Sequence, residues 1–299
     1  MTTTDSPAEG TPEPGLVPAA TGRALAIGAF SNLTWPQLRP WVESLDEVGF
    51  AGDRALIAYM ASDATVEELE KRQVAVVRER TTQRPVHVDR FLGIYRYLLA
   101  SWRRYDVVIA TDTRDVYFQG DPSAWIRTRL PRERRLLVAG SESIQYRDEP
   151  WGRENLEQAY GPVILDVMKD DEVINVGALG GEPELMKDLC LNIFLTSCGG
   201  RIPIADQAAF NVLLRTRPYR DVVWLARQRD GWACHAGTTA DPGKLGSFRP
   251  FLTESEPSFG KGVVLTSAGE PFCIVHQYDR VPEWNRLVRE KHGGPAKEP

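Results

Sequence analysis

Continuous apolar runs alternate with helical patterns through the first half of the chain. The apolar runs stand at 23–30, 54–60, 74–77 and 106–111, and helical patterns between them include 65–72 and 89–103. Short runs that are apolar throughout predict strands buried on both faces, and the helices between them predict crossovers over a parallel sheet. We therefore predict a doubly wound α/β sheet. Such sheets bind ligands beyond the carboxyl ends of their strands, so the polar residues after Phe30 and Ala110 are the first candidates for a site.

The second half of the chain has a less regular pattern. Apolar runs predict strands at 135–139, 173–179, 222–225, 263–266 and 272–275. Periodic segments predict helices at 154–168, 182–195 and 206–215, with loops dominating 228–260. Neither a repeat nor a linker divides the chain, so we predict a single domain over 23–292. Small and polar residues predict a disordered N-terminal tail at 1–22 and a flexible C-terminal tail at 293–299.

Composition and charge exclude several classes of function. Hydrophobic residues make up 42% of the chain, which is typical of a globular protein. The net charge of -5 and the lack of a basic stripe indicate that nucleic acid is not a partner. No run approaches the roughly 18 apolar residues that span a bilayer, and the N-terminus has no secretion-signal pattern, so we expect a cytoplasmic protein without a membrane span. The four cysteines lack the spacing of a zinc site and are predicted to be reduced core residues.

Acidic residues follow the predicted strand at 106–111. The strand leads directly into Asp112, and Thr113, Arg114 and Asp115 come next. Two carboxylates in this position repel each other unless a cation or basic group lies between them, and oxygen-rich sites suit Mg²⁺ or Mn²⁺. An extended chain would place Asp112 and Arg114 on one face, whereas a turn would bring Asp112 beside Asp115. The alternative without a metal is that Asp112 caps the turn and Asp115 pairs with Arg114.

Four segments resemble the motifs of a known enzyme family. A strand that ends in an acidic motif follows a helix with Arg90, and Ile-Asn-Val-Gly (174–177), Ala-Asp-Gln-Ala-Ala-Phe-Asn (205–211) and Val-His-Gln (275–277) come later in the expected order. In these segments the chain resembles the GT-A fold nucleotide-diphospho-sugar transferases, particularly the retaining enzymes of glycosyltransferase family 8. The resemblance implies a GT-A-like, Rossmann-like mixed α/β sheet that is parallel in its N-terminal half and flanked by helices.

The function implied by the resemblance is transfer of a sugar from a nucleoside-diphosphate-sugar donor to a hydroxyl acceptor. The nucleotide-binding half would be 23–125, and the acceptor half 126–292. The implied metal ligands are Asp112, Asp115 and His276, and an imidazole ligand suits Mn²⁺ better than Mg²⁺. A cation there would neutralise the leaving nucleoside diphosphate.

The acidic motif departs from the family pattern, which is Asp-x-Asp. Arg114 stands at the third place, and the second acid, Asp115, comes one residue later. Either Asp115 supplies the second ligand, or Arg114 replaces part of the metal charge and the enzyme is metal-independent; we favour Asp115. The family's lysine-rich segment after the late histidine is also missing, and residues 278–280 are Tyr-Asp-Arg instead.

The resemblance assigns further residues to the donor and to catalysis. Arg90 would neutralise diphosphate or orient Asp112, because a guanidinium offers a planar fork of donors. Asp206 and Gln207 would lie beyond the anomeric carbon as the catalytic residues, although Asp206 has a helix N-cap as its alternative role. The implied nucleotide- and donor-binding residues are Phe30, Ser31, Asn32, Arg90, Asp112, Arg114, Asn175 and Gly177.

Several residues have a structural interpretation beside the functional one. The segment after the first strand would contact base and ribose, or it caps the next helix. Histidines outside the motifs are predicted to be structural: His87, His235 and His292. Aromatic residues in the second half would form an acceptor platform, or they pack in the core: Tyr146, Trp151 and Trp232.

Three other functions stay open from the sequence. A nucleotidyltransferase would use the same sheet and metal, but normally has a glycine-rich basic loop where 31–34 is Ser-Asn-Leu-Thr. A metal-dependent phosphatase would need a general acid where Arg114 stands. A sugar- or nucleotide-binding protein would keep the fold without turnover.

Overall fold

The computed structural model of the chain describes residues 22–199, 202 and 204–293. The predicted N-terminal tail, 1–22, lies outside the described residues apart from Gly22, and the predicted C-terminal tail, 293–299, lies outside them apart from Gly293. No helix in the described part of the chain has the length and apolar character needed to cross a membrane.

Seven strands form a central mixed sheet, and two smaller sheets lie beside it. The strands are β1 (Ala24–Ser31), β2 (Asp53–Tyr59), β3 (Val74–Arg78), β4 (Val107–Thr111), β5 (Val116–Phe118), β6 (Leu137–Gln145), β7 (Glu172–Gly181), β8 (Val223–Ala226), β9 (Ala233–His235), β10 (Ser258–Gly260), β11 (Val263–Leu265) and β12 (Ile274–His276). The central order is β3-β2-β1-β4-β7-β6-β8, and the smaller sheets are β5-β12-β9 and β10-β11. The first four strands of the central order are mutually parallel, whereas β7 is antiparallel to β4 and β6. The predicted α/β sheet, parallel in its N-terminal half, is confirmed.

Helices cover both faces of the central sheet. The α-helices of the described residues are α1 (Trp35–Glu47), α2 (Asp63–Glu70), α3 (Val86–Ser101), α4 (Pro122–Glu133), α5 (Pro150–Tyr160), α6 (Pro162–Met168), α7 (Pro183–Cys198), α8 (Asp206–Leu214), α9 (Tyr219–Val222), α10 (Ala236–Thr239), α11 (Pro242–Phe248) and α12 (Pro282–His292). On one face Trp41 of α1 packs with Phe30 of β1. On the other face Ile94 of α3 and Ile193 of α7 share a core with Ile27 of β1. The strands are apolar throughout because both of their faces are covered.

Some predicted elements of the second half are wrong. The helix predicted at 154–168 is two helices, because Gly161 has a φ of 82° and Pro162 then begins α6. The predicted loop region at 228–260 contains β9, α10, α11 and β10. The strand predicted to end at 139 continues to Gln145 as β6.

Candidate active site

The acidic segment lies between β4 and β5, at the carboxyl end of the parallel strands. Residues 113–115 bend the chain, so that the carboxylates of Asp112 and Asp115 lie close together. The backbone fixes both ends of this bend. The Asp112 N–H donates to the Gly177 carbonyl at 3.0 Å, and the Gln277 N–H donates to the Asp115 carbonyl at 2.7 Å. The turn, and not an extended chain, therefore brings the two carboxylates together.

His276 ends β12 and faces both carboxylates. Its Nε2 lies 3.2 Å from Asp112 Oδ2 and 3.9 Å from Asp115 Oδ1. One potential ligand atom from each of the three residues lies within 4.8 Å of the others. Burial lowers the pKa of His276, so the imidazole is neutral near pH 7 and can offer a lone pair. Two carboxylates and an imidazole form a donor set that fits Mn²⁺ or another divalent cation.

Arg90 of α3 joins the acidic segment to α8. It forms an ion pair with Asp112, and its Nη2 lies 3.0 Å from Asp206 Oδ2. The Arg90 and Asp206 side chains are only 11% and 5% exposed, so each needs the other as a partner for its buried charge. Asp206 is the first residue of α8, and the N-cap is Ala205. The helix-cap alternative for Asp206 is therefore wrong.

Arg114 points away from the space between the two carboxylates. Its Nη2 lies 3.1 Å from Asp115 Oδ2 and its Nη1 lies 3.0 Å from Asp279 Oδ2, and its side chain is 45% exposed. Partial burial disfavours the charged guanidinium, but Asp115 and Asp279 outweigh this effect and raise the pKa of Arg114. The structure thus places Arg114 on the outer oxygen of Asp115, while the other oxygen faces His276.

Gly177 of β7 lies against the candidate metal ligands. A Cβ at this position would come within 2.4 Å of His276 Cε1 and 2.9 Å of Asp112 Oδ2. No side chain fits there without displacing one of these groups. Asn175, two residues earlier, accepts a hydrogen bond from the Gly177 N–H at 2.7 Å through its Oδ1. Both predicted residues of this strand therefore lie beside the acidic segment.

Glu142 is a buried residue of this region that the sequence did not single out. Its Oε1 accepts hydrogen bonds from Asn175 Nδ2 at 2.8 Å and from Gln207 Nε2 at 3.1 Å, and its Oε2 accepts one from the Thr238 hydroxyl at 2.5 Å. The pairing of β6 with β7 is irregular on both sides of Ser141. We call Glu142, Asn175, Gln207 and Thr238 the Glu142 network, and it orients two of the predicted site residues.

A cavity of about 270 Å³ opens beside the Glu142 network. Its lining includes Glu142, Asn175, Gln207, Trp151, Lys244 and Arg280. Trp151 is 50% exposed and offers a ring to this cavity, whereas Tyr146 and Trp232 are fully buried, which excludes them from an acceptor platform. A larger cavity of about 710 Å³, lined by residues of β5, β11 and α12, includes none of the predicted site residues.

The end of β1 lies next to the acidic segment. Contrary to the prediction, Phe30 does not face the ligand edge. The Thr113 hydroxyl donates to the Ala29 carbonyl at 3.1 Å, which links the two segments. Phe30 is 2% exposed and packs in the core, so its ring is not available to stack on a base. Ser31 is partly exposed and Asn32 is exposed. The helix cap is made instead by Thr34, whose N–H donates to Gln37 Oε1 at 2.8 Å.

The fold is similar to that of a solved glycosyltransferase. The apo structure of WbbM, a bifunctional glycosyltransferase, aligns with 96% of this chain at a TM-score of 0.57 and 14% sequence identity. The chain spans about half, 52%, of the length of that protein. At this identity the likeness establishes the fold, so the chain has a glycosyltransferase-like, Rossmann-like α/β architecture. No family model and no curated protein matches the sequence.

Proposed function

We propose that the protein is a glycosyltransferase that uses a divalent cation to bind a nucleoside-diphosphate-sugar and transfers the sugar to a hydroxyl acceptor. The observation that carries the proposal is the convergence of Asp112, Asp115 and His276 beyond the carboxyl end of β4. Ligands bind at this edge of open α/β sheets, and the donor set suits Mn²⁺ or Mg²⁺. Similarity to the fold of a bifunctional glycosyltransferase supports the same reaction class.

The charged residues divide into cation ligands and their supports. Asp112, Asp115 and His276 would hold the cation, which when bound offsets the charge that develops on the leaving diphosphate. Arg90 restrains Asp112 and adds positive charge at the same edge. Asp115 would supply the second metal ligand, and Arg114 would not replace the charge of the metal, because its guanidinium pairs with the outer oxygen of Asp115 and with Asp279.

The cavity beside the Glu142 network would receive the donor sugar and the acceptor hydroxyl. Glu142 holds the amides of Asn175 and Gln207 in fixed orientations, and fixed polar groups in a concave site recognise hydroxyl groups. Asp206 is neutralised by Arg90, so Gln207 is the catalytic candidate that lines the cavity.

The finer assignments rest on the motif likeness. We propose family 8 chemistry with retention of the anomeric configuration from the segments 174–177 and 205–211. Ser31 and Asn32 are proposed to contact the base and ribose from the end of β1. The proposed domain, 23–292, keeps its nucleotide-binding half at 23–125 and its acceptor half at 126–292.

Donor hydrolysis in the absence of acceptor tests this proposal. The purified protein is incubated with a panel of nucleotide-sugars and Mn²⁺, and release of the nucleoside diphosphate is measured. We expect slow hydrolysis of one donor, and Asp112→Asn should reduce the rate at least about 100-fold, because the lost electrostatic contribution is worth several kcal/mol. The control is Asp63→Asn, whose carboxylate is 87% exposed on the surface; this variant should keep the wild-type rate.

The other outcomes separate the alternative functions. An equal rate in the Asp112→Asn variant would contradict the proposal. Release of pyrophosphate from a nucleoside triphosphate would indicate a nucleotidyltransferase. Release of inorganic phosphate from a phosphomonoester would indicate a phosphatase, and binding of nucleotide-sugars without any turnover would indicate a binding protein.

A further inference from the structure

A second histidine, His235, lies directly behind the candidate metal ligand His276. The strands β9 and β12 pair in parallel, and their register places His235 opposite His276. The two Nδ1 atoms are 3.2 Å apart, within hydrogen-bond distance. The rings meet edge to face, with an interplanar angle of 86°. The sequence predicted only a structural role for His235, because no motif surrounds it.

The surroundings hold the His235 ring in a fixed position. His235 and His276 are 0% and 2% exposed, so water does not compete for the contact between them. On the far side of the ring, His235 Nε2 lies so close to Gly140 that a Cβ there would come within 2.5 Å of it. The His235 carbonyl also accepts a hydrogen bond from the Thr239 hydroxyl at 2.9 Å, which restrains the backbone at the end of β9.

Metal ligation by His276 determines where the protons of the pair must lie. His276 Nε2 faces Asp112 and Asp115, so a ligating His276 must keep this nitrogen unprotonated. A neutral imidazole then carries its proton on Nδ1, and the group within reach of that proton is His235 Nδ1. His235 must accept this hydrogen bond, and its own proton must therefore lie on Nε2, beside Gly140.

We propose that His235 is a positioning residue, which accepts the Nδ1–H of His276 and thereby holds His276 Nε2 as a ligand directed at Asp112 and Asp115. This inference rests on the proposed function, because it requires that the three residues bind a cation. Partners of this kind orient a ligating histidine and select its tautomer. A neutral imidazole does so without adding a third negative charge beside the two carboxylates.

Two substitutions separate hydrogen bonding from packing. His235→Phe keeps a ring but removes the acceptor, whereas His235→Asn places an amide oxygen near the position of Nδ1. Mn²⁺ affinity is measured without nucleotide, from the electron paramagnetic resonance signal of the free ion. We expect His235→Phe to bind Mn²⁺ about 10- to 100-fold more weakly than wild type, and His235→Asn to recover most of that loss. Wild-type affinity in the Phe variant, or equal losses in both variants, would overturn the proposal.

The wild-type protein provides a second measurement that does not depend on the folding of a variant. Proton–nitrogen correlation spectra of ¹⁵N-histidine-labelled protein with saturating Mg²⁺ report which nitrogen of each ring carries the proton. The expected result is a proton on Nδ1 of His276 and on Nε2 of His235. A proton on Nε2 of His276 would overturn the proposal.

Failure of this inference differs from failure of the proposed function. If the wild type hydrolyses a donor with Mn²⁺ while His235→Phe keeps full Mn²⁺ affinity, only the role of His235 is overturned. If the wild type binds no Mn²⁺, the role of His235 and the cation site are both overturned, and donor hydrolysis without cation still decides whether the protein is a transferase.

Discussion

Gly177→Ala adds a single methyl group at the point where β7 touches the candidate metal ligands. The new Cβ would lie 2.4 Å from His276 Cε1, 2.9 Å from Asp112 Oδ2 and 2.9 Å from Asn175 Oδ1. The φ of Gly177 is not in the positive region, so alanine fits the backbone itself. The whole effect of the substitution therefore falls on the three neighbouring side chains.

The size of the effect follows from these distances. Non-bonded carbon atoms pack at about 3.5–4.0 Å, so relief of the contact with His276 requires a displacement of roughly 1 Å. His276 is 2% exposed and has His235 behind it, so the ring has little space in which to move. Overpacking of this kind costs about 1–3 kcal/mol of stability, and a misplacement of about 1 Å in a catalytic group costs about 100-fold in rate.

Three assays compare Gly177→Ala with a matched glycine variant. Gly246→Ala is the control, because no atom lies within 4 Å of its added Cβ. Urea unfolding, Mn²⁺ affinity and donor hydrolysis are measured for both variants. We expect Gly177→Ala to fold with reduced stability and to lose Mn²⁺ affinity and hydrolysis together. Gly246→Ala should keep the Mn²⁺ affinity and the rate of the wild type and be at least as stable, because alanine is favoured over glycine inside α11. Wild-type Mn²⁺ affinity and rate in Gly177→Ala would refute the view that these residues form one tightly packed site.

Three further predictions concern stability. Arg90→Met should lower the free energy of unfolding by about 3 kcal/mol, because it leaves the carboxylates of Asp112 and Asp206 without the guanidinium that they share. A loss below about 1 kcal/mol in urea unfolding would contradict this pairing. Glu142→Ala should cost about 3 kcal/mol through three lost hydrogen bonds. Glu142→Gln should stay within about 1 kcal/mol of wild type, because its amide oxygen can still accept from Asn175 and Gln207 and its amide nitrogen can donate to the Thr238 hydroxyl oxygen; equal losses would argue against the network. Burial lowers the pKa values of His235 and His276 in the folded state, so below the unfolded value of about 6.5 the unfolded chain binds more protons and stability falls as the pH falls. The slope of unfolding free energy against pH should therefore decrease in His235→Asn, by up to about 1.4 kcal/mol per pH unit, and an unchanged slope would show that His235 does not titrate in this way.

The first half of the fold is predictable because its strands are covered on both faces. A run such as 106–111 is apolar throughout, and this pattern is sufficient to predict a parallel sheet with helices on both sides. The three-residue strands β5 and β9 cannot be predicted in this way. They are too short to carry a pattern, and each is a strand only through its pairing with β12, which is distant in the sequence.

Part of the candidate site is also visible in the sequence. Asp112 and Asp115 follow a buried strand. The sequence allowed two arrangements after that strand, an extended chain or a turn, and the turn is the one that brings the two carboxylates together. Phe30 shows the limit of this reasoning, because a residue at the end of a strand belongs either to the ligand edge or to the core. The packing of α1 places its ring in the core.

Glu142 and His235 were missed for a common reason, which is that tertiary pairing places them. Glu142 lies where the register between β6 and β7 is irregular and the next residue, Ser143, has a φ of 55°. A residue at such an irregularity cannot be recognised from the alternation of apolar and polar residues along a strand. His235 meets His276 only through the register of β9 and β12, whose nearest ends, His235 and Ile274, are 39 positions apart in the chain. No local pattern reports such a pairing.

The central claim is tested most directly by calorimetric titration of the protein with nucleoside diphosphates in the presence and absence of Mn²⁺. The proposed site predicts that one diphosphate binds in a Mn²⁺-dependent manner and that Asp115→Asn removes this dependence. Binding that is equally strong without Mn²⁺ and unaffected by Asp115→Asn would contradict the cation site formed by Asp112, Asp115 and His276.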